Sequence, residues 1–341
     1  MRTLRFVLSF FLILTIVFIL PRIAPGDPIE NALGLDYATA TEYEKEYYRQ
    51  KWGLDKSIFE QYLLFLKSIF TFDFGYSFTQ DQKVSEMLGY SMLQSVKLVL
   101  PALIIGSFAA LAVGIYMGIK NGNKVDRGLT GTIILIHTIP SFITGILILA
   151  LFAFKLDWFP LGHMSTGTGD LADQIYCLTL PVATLSLITF TGYYLIIRSA
   201  TMQICEEHFI QVEREHGFDD DYINSNHVLR NIGTQFVSMF ALSLGGMISG
   251  AMIIEVVFSL NGMGNVVYGA ISASDYPVIQ GAFIFITASV LLANFIAEIL
   301  YSLLDPRIAD GGVRWIQRAS SHRSKAYCHG SARARPASSG S

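Results

Sequence analysis

The stretch VLPALIIGSFAALAVGIYMGI, residues 99–119, contains no charged side chain from end to end. An α-helix of about 20 apolar residues is long enough to cross the hydrocarbon core of a bilayer. Pro101 and three glycines interrupt the stretch, and membrane helices tolerate both residue types better than soluble helices do. The stretch therefore predicts a membrane-spanning helix and sets the fold class of the chain.

The composition of the whole chain agrees with this prediction. Hydrophobic residues make up 52% and charged residues 15% of the 341 positions, and the mean hydropathy is +0.46. Soluble domains carry about 25% charged residues. The net charge of -3 provides no basic field for nucleic acid, so the bilayer is the predicted partner and no nucleic acid is expected.

Six apolar stretches predict an all-α integral membrane protein with six transmembrane helices. They cover residues 6–24, 99–119, 129–154, 179–197, 236–258 and 278–304. The first has a basic start and an apolar core, so a cleaved signal peptide is the alternative, although no small-x-small cleavage site follows it.

The stretches divide the chain into four parts. A first transmembrane helix, residues 1–24, precedes an extracytoplasmic segment, residues 25–94. A five-helix transmembrane core, residues 95–304, contains a polar elbow at 200–234. The tail, residues 305–341, is rich in serine and alanine from about 319 onward and is predicted to be disordered.

Lysine and arginine in the short loops predict the orientation. Arg2 and Arg5, the bases of the loop at 120–127, and Arg307 all fall on one side of a six-helix topology. Both termini and the elbow are therefore expected in the cytoplasm of a multi-pass protein of the inner or plasma membrane.

The extracytoplasmic segment has structure of its own. Its first part predicts a polar helix ended by Gly53, and SIFEQYLLFLKSIF predicts an amphipathic helix that places Ile58, Tyr62, Phe65 and Ile69 on one face. A packed cap and a docking platform are both open readings of this segment.

Catalytic motifs do not stand out. No GxxxxGK[ST] loop occurs, and GGMISGAM has the glycine spacing without the lysine, which indicates close helix packing. Cys177, Cys205 and Cys328 lie far apart without CxxC spacing, so no metal site is predicted.

Four polar residues inside the spans are candidates for a pathway or for interhelical hydrogen bonds, because ionisable groups in hydrocarbon are costly. They are His137, Glu255, Asn294 and Glu298. Lys97 and Arg198 lie near span ends and are expected to extend their charges to the interface.

The elbow is the most acidic part of the chain, with seven acids against two bases in residues 200–234. A helix is predicted from about 198 to 214, a break at Gly217, and a second helix over 222–229 capped by Asp219 or Asp220. Six apolar residues form a small knob ringed by charge: Phe209, Val212, Phe218, Tyr222, Ile223 and Val228. A docking surface for a soluble partner and a merely solvated loop both fit this pattern.

Several motifs, taken in order, resemble a known family over about residues 1–310. The most specific are GAMIIEVVFSLNGMG at 250–264, DYPVIQG at 275–281 and NFIAEILYSLLDPRI at 294–308, together with IPSF at 139–142 and DWFPLG at 157–162. They resemble the membrane permease subunits of ABC importers that take up oligopeptides, dipeptides or nickel complexes. The resemblance implies the type I ABC importer permease architecture.

The resemblance also implies that the elbow couples the chain to an ATPase. The family's coupling pattern falls on seven residues: Gln211, Val212, Glu213, Gly217, His227, Arg230 and Asn231. Val212 and Glu213 stand where the family has small residues, which bears on which ATPase the elbow fits.

The implied function is that of a permease subunit forming half of a translocation pathway for oligopeptides or dipeptides, with nickel or a metal–chelator complex as the alternative substrate. The implied partners are a second homologous permease, two ATP-binding subunits and an extracytoplasmic substrate-binding protein. The chain itself is expected to be no enzyme and to bind no cofactor, since ATP and Mg belong to the partner subunits. A stand-alone ion-coupled carrier or an intramembrane enzyme is the competing class.

Overall fold

The computed structural model describes residues 2–23, 28–33, 37–161 and 171–304. Thirteen α-helices and two π-helical turns, Ala150–Lys155 and Asn224–Val228, are found in these ranges. The α-helices are α1 Arg2–Ile23, α2 Pro28–Leu33, α3 Glu42–Lys51, α4 Ile58–Thr71, α5 Val84–Ile119, α6 Lys124–Thr138, α7 Ser141–Leu149, α8 Leu171–Cys205, α9 His208–Glu215, α10 Asp220–Ile223, α11 Leu229–Val257, α12 Met263–Ser272 and α13 Tyr276–Leu304. The described residues form no β-strand beyond one isolated bridge between Tyr76 and Lys83.

Helices α5 and α8 form the centre of the fold and run parallel. Gly106 of α5 lies against Ser186 and Phe190, Gly114 against Ile197, and Gly118 against Thr201, so contacts advance in the same direction along both helices. The missing Cβ atoms let the two backbones approach closely, as small residues do in membrane helix pairs. By length and composition, both helices are able to cross a membrane.

The third predicted span is not one helix, and the prediction of a continuous helix over 129–154 is wrong. Helices α6 and α7 meet at a bend of 99°. Ile139 is extended (φ -73°, ψ 127°) because the residue before a proline, here Pro140, is disfavoured in the helical region. Counted as one crossing, the bent pair is a third candidate span.

The remaining predicted spans fall in α1, α11 and α13. Among the described residues, two helices qualify as membrane spans, or three with the bent pair, and the apolar part of α13, Tyr276–Leu292, is shorter. Six spans therefore stay a prediction, whereas the all-helical fold is observed.

The segment 25–94, predicted to be extracytoplasmic, packs onto the core through α4. Tyr62 and Phe65 contact the ring of Phe18 on α1, and the hydroxyls of Tyr62 and Thr15 lie 2.9 Å apart. Phe65 and Ile69 are buried as predicted, but Ile58, the first residue of α4, is 70% exposed.

Both outer helices start with a capping box. Thr41 and Ser57 accept hydrogen bonds from the backbone of Glu44 and Glu60, whose carboxylates bond back. These bonds hold the pKa values of both carboxyls below their usual range.

Helix α5 begins at Val84, so the predicted boundary between residues 94 and 95 falls inside a continuous helix. The loop before α5 is tied to α13 by Asp275, a buried carboxylate that accepts hydrogen bonds from the Ser77 hydroxyl (2.5 Å) and the Thr79 hydroxyl (3.0 Å). The outer segment is thus anchored at α1 and at the start of α13.

Candidate functional site

The elbow begins where α8 ends. Helix α8 stops at Cys205, and a turn at Glu206 and Glu207 precedes α9. The prediction of one helix from about 198 to 214 is therefore wrong at this point. Gln211 bridges the turn, since its side-chain amide donates to the carbonyl of Glu206 at 3.3 Å.

Gly217 forms the second turn of the elbow, as the sequence predicts. Its φ of +82° lies in the left-handed region, which only glycine adopts without strain. The backbone N–H groups of Gly217 and Phe218 donate to the carbonyls of Arg214 and Glu213, which closes the end of α9. Asp219 stands at the N-cap of α10 in extended conformation, although its side chain makes no capping bond.

The apolar residues of the elbow divide into two sets. Ile210, Ile223 and Val228 are buried in one cluster with residues of α8 and α11, which fixes the elbow to the membrane helices. Phe209, Phe218 and Tyr222 are 41%, 51% and 48% exposed. Of the six residues of the predicted knob, Ile223 and Val228 are thus internal packing, Val212 is half-buried, and the three aromatic residues are surface.

The exposed set forms a continuous aromatic patch, which we define as Phe209, Phe218, Tyr222 and His227. Phe218 and Tyr222 stack with ring centroids 5.3 Å apart, and the His227 ring lies 6.1 Å from Tyr222 and 6.2 Å from Phe209. Aromatic side chains are enriched at protein interfaces because they bury a large area with few rotatable bonds.

A contact between Glu213 and His227 holds the patch in shape. Glu213 Oε1 of α9 lies 3.0 Å from His227 Nε2, and both side chains are mostly buried. Arg214 and Asp220 form a second, exposed pair at 3.2 Å across the Gly217 turn. The two contacts join the arms of the elbow, so α9 and α10 have a fixed relative position.

The structure brings three of the seven predicted coupling residues into direct contact, since His227 contacts both Glu213 and Asn231. Gln211, Gly217, Arg230 and Asn231 are exposed, and Val212 is half-buried. The Asn231 side chain donates to the His227 carbonyl at 2.8 Å. The residues thus combine an internal brace, Glu213 with His227, and a solvent-facing surface.

The polar residues predicted inside the spans make interhelical contacts where they are described. His137 of α6 contacts the hydroxyl of the buried Thr191 of α8 at 3.2 Å. The fully buried carboxylate of Glu255 accepts a bond from the Gly264 N–H at 2.6 Å, at the start of α12. A Cβ at Gly262 or Gly264 would overlap this carboxylate, so the glycines form its cradle.

Asn294 and Glu298 lie in α13, but their side chains fall outside the described residues, as do the tail from 305 onward and the loop at 162–170.

Sequence reasoning missed one buried ion pair. Arg198 of α8 binds Asp126 of α6 with both carboxylate oxygens, at 2.6 and 2.7 Å, and Asp126 is fully buried. Arg198 therefore turns inward rather than extending to the interface. The signal available in the sequence was an aspartate in the first turn of a helix that follows a short loop.

Comparisons with known proteins agree with the fold and the motifs. Residues 110–310 match the family described as "Binding-protein-dependent transport system inner membrane component", and residues 1–105 match the family of its N-terminal part. The chain is 28% identical to the di/tripeptide transport system permease protein DppB of Pseudomonas aeruginosa, over 88% of this chain and 95% of that protein. It is also 28% identical to the oligopeptide transport system permease protein AppB of Bacillus subtilis, over 85% and 92%.

A solved structure shares the fold. The MetNI methionine ABC transporter contains a chain that superposes with a TM-score of 0.52 at 13% identity, covering 64% of this chain and 97% of that one.

Proposed function

Because the chain belongs to the family of binding-protein-dependent transport system inner membrane components, permeases of ABC importers, we propose that it forms half of an ATP-driven translocation pathway for di- or oligopeptides. Peptides are the substrates in the names of the relatives from Pseudomonas aeruginosa and Bacillus subtilis. The other half is a second permease of the same family, and an extracytoplasmic binding protein delivers the peptide.

The structure of the elbow is the observation that supports coupling of this chain to an ATPase. It combines a fixed backbone turn at Gly217, an exposed aromatic patch and a buried attachment to α8 and α11. A solvated loop needs none of these features. A segment that couples a soluble subunit to the membrane helices needs all three, because it has to keep its shape, bind the partner and stay attached to the helices. We infer that a separate ATP-binding subunit docks on the aromatic patch and moves α8 and α11 through Ile210, Ile223 and Val228.

The mechanism that follows is a shift between two arrangements of the helices, driven by different contacts in each. ATP binding would close the paired ATPases and displace the elbows, and the displacement would reorient the spans. The chain performs no chemistry in this scheme, and ATP and Mg²⁺ are bound by the partners.

The topology supports the same proposal. Two parallel crossings require that the chain between them returns to the first side, and the bent pair α6–α7 supplies that return. With the base-rich loops in the cytoplasm, the elbow lies on the ATP side and α3 and α4 lie outside.

Uptake by the complete importer in proteoliposomes tests the proposal. Radiolabelled dipeptide should accumulate only with the binding protein outside and ATP inside, and a non-hydrolysable ATP analogue should abolish uptake. A nickel–chelator complex serves as the second substrate, and its uptake in place of the peptide would favour the alternative. Accumulation by this chain alone on an ion gradient would refute the proposal.

A further inference from the structure

A groove of about 660 Å³ runs between α5 and α8, and we call it the α5–α8 groove. On α5 its wall repeats every four residues, at Pro101, Ile105 and Ala109, which places these side chains along one stripe. Leu178 and Val182 belong to the facing stripe of α8. The volume lies in the range of small-molecule sites, which are mostly apolar with a few polar groups.

A single cation stands among the described residues that line the groove. Lys97 is exposed, and no ion pair with an acid is found for it in the described part of the chain. It lies one turn before Pro101, toward the end of α5 that leaves the outer segment. A lysine near the end of an apolar span needs water or a counter-ion for its charge, so an anionic group that enters the groove would meet a cation without an acidic partner among the described residues.

Two further polar groups belong to the groove, one beside Lys97 and one at the level of Gly106. Pro101 has no N–H, so the carbonyl of Lys97 lacks the bond that residue 101 of an α-helix would donate to it. Ser186 also lines the groove, and its buried hydroxyl has no hydrogen-bond partner among the described residues. The neighbouring threonines of α8 differ, since the hydroxyls of Thr184 and Thr189 donate to the carbonyls four residues earlier.

We propose that the α5–α8 groove is a peptide subsite in which the Lys97 ammonium binds the C-terminal carboxylate and the apolar wall holds the C-terminal side chain. This inference rests on the proposed function. An ammonium–carboxylate contact in a site of low polarity is stronger than a neutral hydrogen bond. The released carbonyl of Lys97 adds an acceptor for a peptide N–H, so both groups of the peptide end find a partner at one turn of α5.

The C-terminal carboxylate of a free peptide is the charge that complements Lys97. A lipid chain or a helix of the second permease would cover the apolar wall equally well, and both occupants are separate outcomes of the experiments below.

The first experiment compares a labelled dipeptide with its C-terminal amide in the complete importer, using one binding protein throughout. For each importer we take the uptake rate of the dipeptide divided by that of its amide. Dividing the wild-type ratio by the Lys97→Met ratio removes the preference of the binding protein, which is the same in both importers. We expect this quotient to be about tenfold or more, because a hydrogen bond to a charged group is lost. Lys97→Arg should keep the wild-type ratio, and Lys83→Met, which removes an exposed cation at the N-cap of the same helix and outside the groove, should leave it unchanged.

A quotient near one would overturn the subsite. The proposed function would still hold in that case if the wild-type importer takes up the peptide in an ATP-dependent way. Absence of peptide uptake by the wild-type importer would instead refute the proposed function itself.

A second experiment does not depend on transport of the amide. Ala183→Cys, in a background in which the native cysteines are replaced, places a thiol in the groove. In the assembled importer a water-soluble maleimide should label this thiol, and the free dipeptide should protect it several-fold better than the amide. Labelling only by a lipid-soluble reagent, or cross-linking to the second permease without labelling, would overturn the subsite.

Discussion

Gly217 is the residue on which the shape of the elbow depends. Its φ of +82° strains any β-branched residue, while a Cβ at this position meets no atom within 4 Å. Gly217→Val should therefore distort the turn without disturbing the packed core. We expect normal membrane insertion, loss of peptide uptake, and ATP hydrolysis that no longer depends on the loaded binding protein, measured in proteoliposomes.

Gly217→Asn is the matched control, since asparagine enters the left-handed region more readily than valine does. It should retain most of the uptake. Normal uptake by Gly217→Val would remove the coupling role from this turn.

Asp126 and Arg198 carry the buried ion pair between α6 and α8. Asp126→Ala leaves a largely buried guanidinium without its partner, because Arg198 is only 17% exposed. Removing one member of a buried pair costs about 3–5 kcal/mol. We expect a clear drop in the thermal unfolding midpoint of the detergent-solubilised protein.

The exposed pair of the elbow gives the control for this substitution. Arg214→Ala removes a contact whose side chains are 48% and 72% exposed, and such pairs contribute about 0–1 kcal/mol. Equal shifts for the two variants would show that the Asp126 pair is not a stabilising contact.

The contrast between these residues explains what sequence could reveal at this scale. Gly217 could be predicted because a glycine between two polar helical stretches is a local signal. The partner of Arg198 could not, because Asp126 lies on another helix and only the packing of α6 on α8 brings the two together. The split of the elbow's apolar residues into buried and exposed sets has the same cause.

The α5–α8 pair is the element on which the others pack, and glycines set its spacing. An added Cβ at Gly118 would lie 2.5 Å from the Cβ of Thr201, whereas an added Cβ at Gly89 on the same helix meets nothing within 4 Å. Gly118→Ala should therefore cost about 1–3 kcal/mol of stability by overpacking. Thermal unfolding of the purified protein in detergent measures the change.

Gly89→Ala should be neutral or stabilising by about 0.5–1 kcal/mol, since alanine favours the helix. If both variants unfold at the wild-type temperature, the close approach of α5 and α8 is not a determinant of stability.

At the ends of helices, two local sequence rules sometimes predict different structures, and only one of them holds in the fold. Hydrophobicity over 129–154 predicts one helix, but the restriction that Pro140 imposes on Ile139 wins and bends the chain. The start of α5 at Val84 was hidden because its first turns contain polar residues, among them Glu86, Ser91 and Gln94, which lower the local hydropathy. Hydropathy finds the apolar part of a helix, not its ends.

The whole molecule is predicted to place the outer helices and the elbow on opposite sides of the membrane. A single cysteine in place of Asp55, between α3 and α4, should react with an impermeant maleimide in intact cells. A single cysteine in place of Glu215, at the end of α9, should react only after the membrane is opened. Cys177, Cys205 and Cys328 are replaced beforehand so that each variant carries one thiol.

Labelling of both positions from the same side would contradict the orientation predicted from the basic loops. The fold itself, observed as helices only in the described ranges, would stand in either case.

The parallel contact of α5 and α8 has a mechanical consequence. Each helix is about 50 Å long, since an α-helix rises ~1.5 Å per residue. Because the glycine contacts hold α5 and α8 together along their length, the two helices are expected to move as one rigid unit. The elbow is attached at one end of this unit and Lys97 stands toward the other. A tilt of about 5° at the elbow would move the far end by roughly 4 Å over that length, so a small rotation at one side of the molecule becomes a displacement of atomic size at the other.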